Sequence, residues 1–268
     1  MPIIHHHADL NILVSVRGHP FDRSAFDAIF QAMEGVSATM VDQPAAARLM
    51  NPEGMRGFDA LLLYDMPGLD FEHPAERPGI VAPSPELKAG LRALLEQGTG
   101  VVALHHALAG WPDWDDYGEW LGGRFLYRPA LVRGAARPDS GYAHEIAYEA
   151  RNVAPDHPVM AGIPATFPMC DELYLAQIFE EDVTPLLRAS APFSADRFFS
   201  PQHALAGRMH CNDGWDHPPG SDLIGWAKQA LGSRLVYLQP GDGPAAYDRP
   251  DYRRLIRNAL FWVAGRTP

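Results

Sequence analysis

The chain has 268 residues, 47% hydrophobic and 21% charged, which is enough apolar content for a large core and unlike a disordered composition. Its 22 Lys and Arg against 33 Asp and Glu leave a formal net charge of −11, and no basic stripe offsets it, so nucleic acid and anionic membrane are poor partners. No run approaches the roughly 18 apolar residues of a membrane span, the N-terminus lacks a basic region followed by an apolar stretch, and a cytoplasmic protein is expected.

The first strand is Leu10–Val16, closed by the turn composition Arg17-Gly18-His19-Pro20. Residues 21–33 read as a helix with Asp22 as N-cap and Phe26, Ile29, Phe30 and Met33 at helical spacing. Short strands are expected over 37–41 and 58–64, the latter with the continuous apolar run Ala60-Leu61-Leu62-Leu63 of a strand buried on both faces. A Pro-rich surface stretch over 67–85 leads into a helix capped by Ser84, with Pro85 in its first turn and Gly98 beyond its end. Gly100–Leu104 is a fourth buried strand. This β, α, β, β, α, β order predicts an α/β fold, a doubly wound, mostly parallel sheet with helices on both faces.

The second half is less regular. It holds a short helix over 117–121, strands over 145–149, 173–176 and 185–189, and a loop over 197–221 rich in His, Pro, Gly and Asp. A hairpin around Leu231-Gly232 and a terminal helix over 251–264 complete it. No internal repeat or long linker divides the chain, so one domain over 1–268 is expected, with the 197–221 loop as an insertion.

In open parallel sheets, ligands bind at the carboxyl ends of strands. That rule selects His19 after the first strand, Asp65 after the third, and His105-His106 after the fourth. Histidine can shuttle protons, ligate a metal or donate a hydrogen bond near neutral pH. If the segment stays extended, only one of His105 and His106 faces a pocket; the plainer reading is that both are structural, bonded to loop carbonyls. Asp171-Glu172 offers paired carboxylates able to divide acid and base roles, with a solvated strand start as the plainer reading. Asp156-His157-Pro158 reads as a turn or as an acid–base or metal pair.

The loop residues His203, His210, Cys211, Asp213 and His217 are metal-ligand types without a tight motif spacing. The histidines His5, His6 and His7 read as a solvated lead-in, or else a tag remnant or metal site. Trp111, Trp114, Trp215, Trp226 and Tyr247 are candidates to stack on a sugar ring. Gly241-Asp242-Gly243 follows a strand but lacks the nucleotide-binding glycine patterns, so no nucleotide cofactor is expected. Cys170 and Cys211 are too few for a secreted disulfide scaffold, and the sequence leaves their pairing open.

Together these segments resemble the ThuA-like, or trehalose-utilisation, family. The likeness is carried by Gly100-Val101-Val102-Ala103-Leu104-His105-His106-Ala107, by Trp120-Leu121-Gly122-Gly123-Arg124-Phe125, by residues 156–164 with Asp171-Glu172-Leu173-Tyr174, and by the terminal helix from Tyr252 to Trp262. The resemblance implies a fold similar to class I glutamine amidotransferases and flavodoxin-like proteins. Amidotransferases place a nucleophilic Cys at the turn after the fourth strand, where this chain has His105. Amidotransferase chemistry, which needs that thiolate, is therefore not expected. Family members often carry Gly-His-Asp where this chain reads Pro240-Gly241-Asp242-Gly243, without the His.

The resemblance implies a role in carbohydrate metabolism on a sugar or oxidised sugar derivative. His105 would be central and catalytic, aided by Asp171 and Glu172. His19, Asp65, His106, Trp111, His157, Tyr174, Trp226 and Asp242 would bind substrate. A non-catalytic sugar-binding or regulatory domain is the alternative. So is a hydrolase using a divalent metal held by His105 and the 203–217 loop. The ligand expected is a small sugar-like molecule, and the exposed aromatic loops leave room for a homo-oligomer.

Overall fold

Alternate side chains of the central strands enter two different cores, which is what a sheet covered on both faces demands. In a computed structural model describing residues 8–72 and 78–267, Leu10, Ile12, Val14 and Val16 of strand β1 (Leu10–Val16) face one apolar cluster. Leu13 of the same strand faces the other. Strand β4 (Gly100–Leu104) does the same, with Val102 and Leu104 on one side and Val101 and Ala103 on the other.

The remaining sheet strands are β2 (Val36–Asp42), β3 (Ala60–Leu63), β5 (Gly141–Asn152), β6 (Thr166–Leu175), β7 (Thr184–Ala189), β8 (Leu223–Ala230) and β9 (Ser233–Leu238). They form one nine-stranded sheet in the order β6-β5-β7-β8-β9-β4-β3-β1-β2. β2, β1, β3, β4 and β9 run parallel. β8, β7, β5 and β6 continue the sheet as an antiparallel wing.

Helices α1 (Arg23–Gln31) and α7 (Pro250–Val263) bury their apolar stripes, including Phe26, Ile29, Leu255 and Ile256, in the first cluster. Helices α3 (Pro85–Glu96) and α4 (Asp115–Leu121) bury Leu87, Leu91, Tyr117 and Trp120 in the second. The structure is thus the expected α/β class. Asp22 and Ser84 cap α1 and α3 as expected, their side chains accepting the N–H groups of Ala25 and Leu87.

Several short helices and strand pairs were not expected. Helix α2 (Ala45–Leu49) lies between β2 and β3. Leu69–Asp70 pairs with Gly79–Ile80 inside the Pro-rich stretch, whose residues 73–77 lie outside the described ones. Helix α5 (Pro201–Leu205), capped by Ser200, sits in the 197–221 loop, and helix α6 (Pro244–Tyr247) precedes α7. The histidines His5, His6 and His7 also lie outside the described residues. Cys170 and Cys211 are both free thiols. Among the described residues no helix is long and apolar enough to cross a membrane.

The wing positions the site. β5 pairs with β7 only through Ala150, Arg151 and Asn152, so the rest of the β5–β6 ribbon extends beyond the sheet. It reaches the carboxyl end of the parallel strands, where the Tyr174 backbone N–H donates to Gln239 Oε1 at 2.9 Å. A sequence reading of strands at 145–149 and 173–176 is therefore too short. The polar residues His144, Asp171 and Glu172 lie within the ribbon, not at its ends.

Candidate functional site

β4 ends in a single 3-10 turn, His105–Ala109, and His105 begins it at φ 41°. A non-glycine residue in the left-handed region carries a cost of order 1–3 kcal/mol and persists only where its surroundings impose it. Here they do. The His105 Nδ1–H donates to the Gln239 carbonyl at 2.5 Å, and the Tyr237 hydroxyl donates to the His105 carbonyl at 3.0 Å. Both partners sit on or just beyond β9, the parallel neighbour of β4.

Because a carbonyl only accepts, Nδ1 carries a proton whether the ring is neutral or charged, and Nε2 is the edge turned to the carboxylates. Nε2 lies 3.0 Å from Glu172 Oε2, 3.0 Å from the Tyr174 hydroxyl and 3.6 Å from Asp242 Oδ1. His105 is fully buried. Burial pulls its imidazole down, but the neighbouring Asp242 and Glu172 carboxylates outweigh it and push it up to about 10.

The turn also removes the expectation that only one of the two histidines faces the site. His106 is buried beside His105, with ring centroids 4.3 Å apart. Its Nδ1 is 3.3 Å from the Tyr174 hydroxyl, and its Nε2 lies 4.0 Å from Asp242 Oδ1 with no hydrogen-bond partner. Burial, and then the charges of His105 and His19, hold the His106 imidazole well below its usual range. His19 packs against it with the rings tilted and their centroids 4.0 Å apart.

The carboxylates come from two elements. On β6, Asp171 and Glu172 point to opposite faces, as strand geometry requires. Neither is a solvated strand start, since both are buried. Glu172 turns to His105 and also takes the His144 Nδ1 contact at 3.0 Å. Asp171 accepts the backbone N–H groups of Gly241 at 2.6 Å and Asp242 at 3.1 Å, and so fixes the turn that aims Asp242. Burial raises the Asp171 carboxyl to about 6. Gly241, at φ 133°, packs so closely that a Cβ there would lie 2.4 Å from the Tyr252 hydroxyl.

A cavity of about 380 Å³ adjoins this cluster through Glu172 and Tyr174, whereas His105, His106 and Asp242 are not among its lining residues. His19, His144, Glu172 and Tyr174 line its base. Phe125, Tyr127 and Tyr142 form aromatic walls, and Leu205 and Met209 of the 197–221 loop add an apolar side.

Other expected site residues sit elsewhere. Asp65 is buried and does not line the pocket, accepting hydrogen bonds from Ser15 Oγ at 2.7 Å and Gln43 Nε2 at 2.6 Å. Trp226 is a core residue on Tyr237, its indole N–H donating to the Leu121 carbonyl at 2.7 Å. His157 packs against Trp262 near the carboxyl end of α7. Val263, beside Trp262, abuts Gly100 at the start of β4, so His157 is at the opposite end of the sheet from His105. Trp111 donates its backbone N–H to Pro67 and is not among the pocket-lining residues. Trp114, Trp215 and Tyr247 do not line the pocket either. Each is engaged elsewhere, Trp114 with Tyr117 and Trp120, Trp215 with Asp139, and Tyr247 with Tyr64.

The 203–217 loop gathers no ligand set. His210 joins the rings of His144 and Phe199, and His217 bonds the Pro218 carbonyl beside Trp215. Among the described residues, the one group close enough to share an ion is His105, His106, Glu172 and Asp242.

Sequence reasoning missed His144, Gln239, Phe125, Tyr127 and Tyr142. A register shift between Ala143 and Ile146, with Glu145 at φ 53°, marks a bulge beside His144. Bulges re-aim side chains and leave no sequence signature of their own. Phe125 lies in the segment that carried the family resemblance, and its aromatic neighbour Tyr127 was the available clue.

The fold recurs in solved structures at low identity. A ThuA-like protein from Parabacteroides merdae ATCC 43184 superposes with a TM-score of 0.67 at 12% identity, over 96% of this chain and 91% of that one. A ThuA-like protein from Bacteroides uniformis ATCC 8492 gives 0.62 at 15%, over 97% and 94%. A cytoplasmic protein from Salmonella typhimurium gives 0.57 at 11%, over 95% and 98%. No curated protein matches the chain. The ThuA family, described as trehalose utilisation, matches residues 14–263, and the chain belongs to that family.

Proposed function

We propose that the chain is an enzyme of carbohydrate metabolism that binds a sugar, or an oxidised sugar derivative, in the aromatic pocket and acts on it at His105. The family's link to trehalose utilisation supports the substrate class in general terms. The observation that carries the reading is the meeting of His105 Nε2 with Asp242 and with Glu172, which itself lines an aromatic-walled cavity.

A sugar presents apolar C–H faces and polar edges. Phe125, Tyr127 and Tyr142 offer surfaces for the faces. The floor offers the edge an imidazole, two carboxylates and the Tyr174 hydroxyl. These are the groups that polarise a hydroxyl or carbonyl and exchange its proton, work that contributes roughly 10²–10⁴-fold in rate. Asp171 acts at one remove, by holding the turn that carries Asp242.

The test is turnover on a panel of disaccharides and their keto forms, with wild type and His105→Ala side by side. At least one panel member is turned over by the wild type, and His105→Ala lowers that turnover about 10²-fold or more while the melting profile stays cooperative. Unchanged turnover in the variant removes His105 from the chemistry. A wild type that binds a panel member without product would favour the non-catalytic sugar-binding alternative.

A further inference from the structure

We propose that His105, His106, Glu172 and Asp242 form a centre for a divalent first-row transition cation beside the pocket, which it meets at Glu172. This deepens the reading of the same site and rests on it only for the cation's use, not for its binding.

The donor atoms come from four residues on three elements, and all lie within 4.8 Å of one another. Small side-chain shifts bring such a set onto one ion. Two imidazoles with two carboxylates are a mixed nitrogen and oxygen set, which suits Zn²⁺, Mn²⁺, Fe²⁺ or Co²⁺ better than Mg²⁺ or Ca²⁺.

An independent observation points into the same space. His106 Nε2 is buried, aimed toward Asp242 from 4.0 Å, and has no partner. An orphaned ring nitrogen inside a protein is costly, and a cation between it and Asp242 would satisfy both.

The surrounding contacts are those that orient metal ligands. The Nδ1–H of His105 is tied to the Gln239 carbonyl, which turns Nε2 toward Glu172 and Asp242 as the ligating nitrogen. Glu172 Oε1 is engaged by His144, which leaves Oε2 toward the centre. Asp171 holds the two N–H groups of the Gly241-Asp242 turn. Glu172 also lines the neighbouring cavity, which is the side from which a sugar hydroxyl or carbonyl oxygen would approach the ion.

The measurement is metal stoichiometry and affinity on the full-length, untagged chain. It carries His5→Ala, His6→Ala and His7→Ala, because those residues are competing ligands in sequence. Chelator-stripped protein is dialysed against Zn²⁺, Mn²⁺ or Mg²⁺, assayed for bound metal, and titrated calorimetrically; Co²⁺ loading gives a visible spectrum of the ligand field. The expected result is about one Zn²⁺ or Mn²⁺ per chain, weaker Mg²⁺ binding, and a rise in melting temperature with ion concentration.

His106→Ala and Asp242→Asn should each weaken binding at least tenfold and change the Co²⁺ spectrum. His157→Ala, at the far end of the sheet, should leave both unchanged and serves as the folding control. Substoichiometric metal, tight binding that survives both substitutions, or preference for Mg²⁺ overturns the proposal. The ion count is read without sugar and the disaccharide panel without regard to ion count, so either reading can fail alone.

Discussion

At the scale of single residues, burial separates the polar groups that build the site from those that only resemble it. His105, His106, Asp171 and Glu172 are all sequestered, and each has a polar group or charge of the floor beside it. Asp65 is sequestered as well but faces only Ser15 and Gln43, and its Oδ1 has no partner. Burial raises its carboxyl above the ordinary value despite those two hydrogen bonds. A folded-state pKa above the unfolded one means that the contribution to stability is complete below the unfolded pKa and is lost as pH rises through the folded one. Asp65→Asn removes that loss. Its melting temperature, measured against wild type, should therefore gain as pH rises from about 4 to about 7. A difference that stays constant across that range would show that Asp65 does not titrate abnormally.

At the scale of elements, legibility followed period and caps. The Ser84 cap was readable because Ser-Pro before an apolar helical pattern has one dominant physical meaning. Its hydroxyl accepts the Leu87 N–H at 3.2 Å. Ser84→Ala should cost about 1 kcal/mol and lower the melting temperature by roughly 2–4 °C, with no effect on the distant floor; chemical denaturation of both forms checks this. A change much below that would mean that water replaces the cap.

The β5–β6 ribbon was only half readable. Its strands carry His144, Asp171 and Glu172 in their interiors, and polar residues at such positions read as strand ends unless a site is known to bury them. The 3-10 turn after β4 had the same effect on the histidine pair. Period-two reasoning sends neighbours to opposite sides, whereas the turn brings both rings to one floor.

At the scale of the whole molecule, the parallel half of the sheet was legible from the strand and helix order, and with it the location of the site at the carboxyl end of β4. What closes the site was not. The wing curls over from the far edge of the sheet, and the 197–221 loop contributes Leu205 and Met209 to the pocket wall. Contacts such as Glu172 with His105 span 67 residues, and Tyr64 with Gly241 span 177. Separations of that kind carry no local pattern. For the same reason Trp226, with the composition of a sugar platform, belongs to the core.

The fold therefore makes one place where aromatic walls from the middle of the chain meet a polar floor drawn from its first, central and last thirds. A crystal structure of the wild type with a disaccharide from the responsive panel tests that convergence most directly. The account predicts a sugar ring against Phe125, Tyr127 or Tyr142, with an oxygen within hydrogen-bonding reach of the His105, Glu172 and Asp242 cluster. A sugar bound anywhere else on the molecule, with the cavity above His105 holding only solvent, would contradict it.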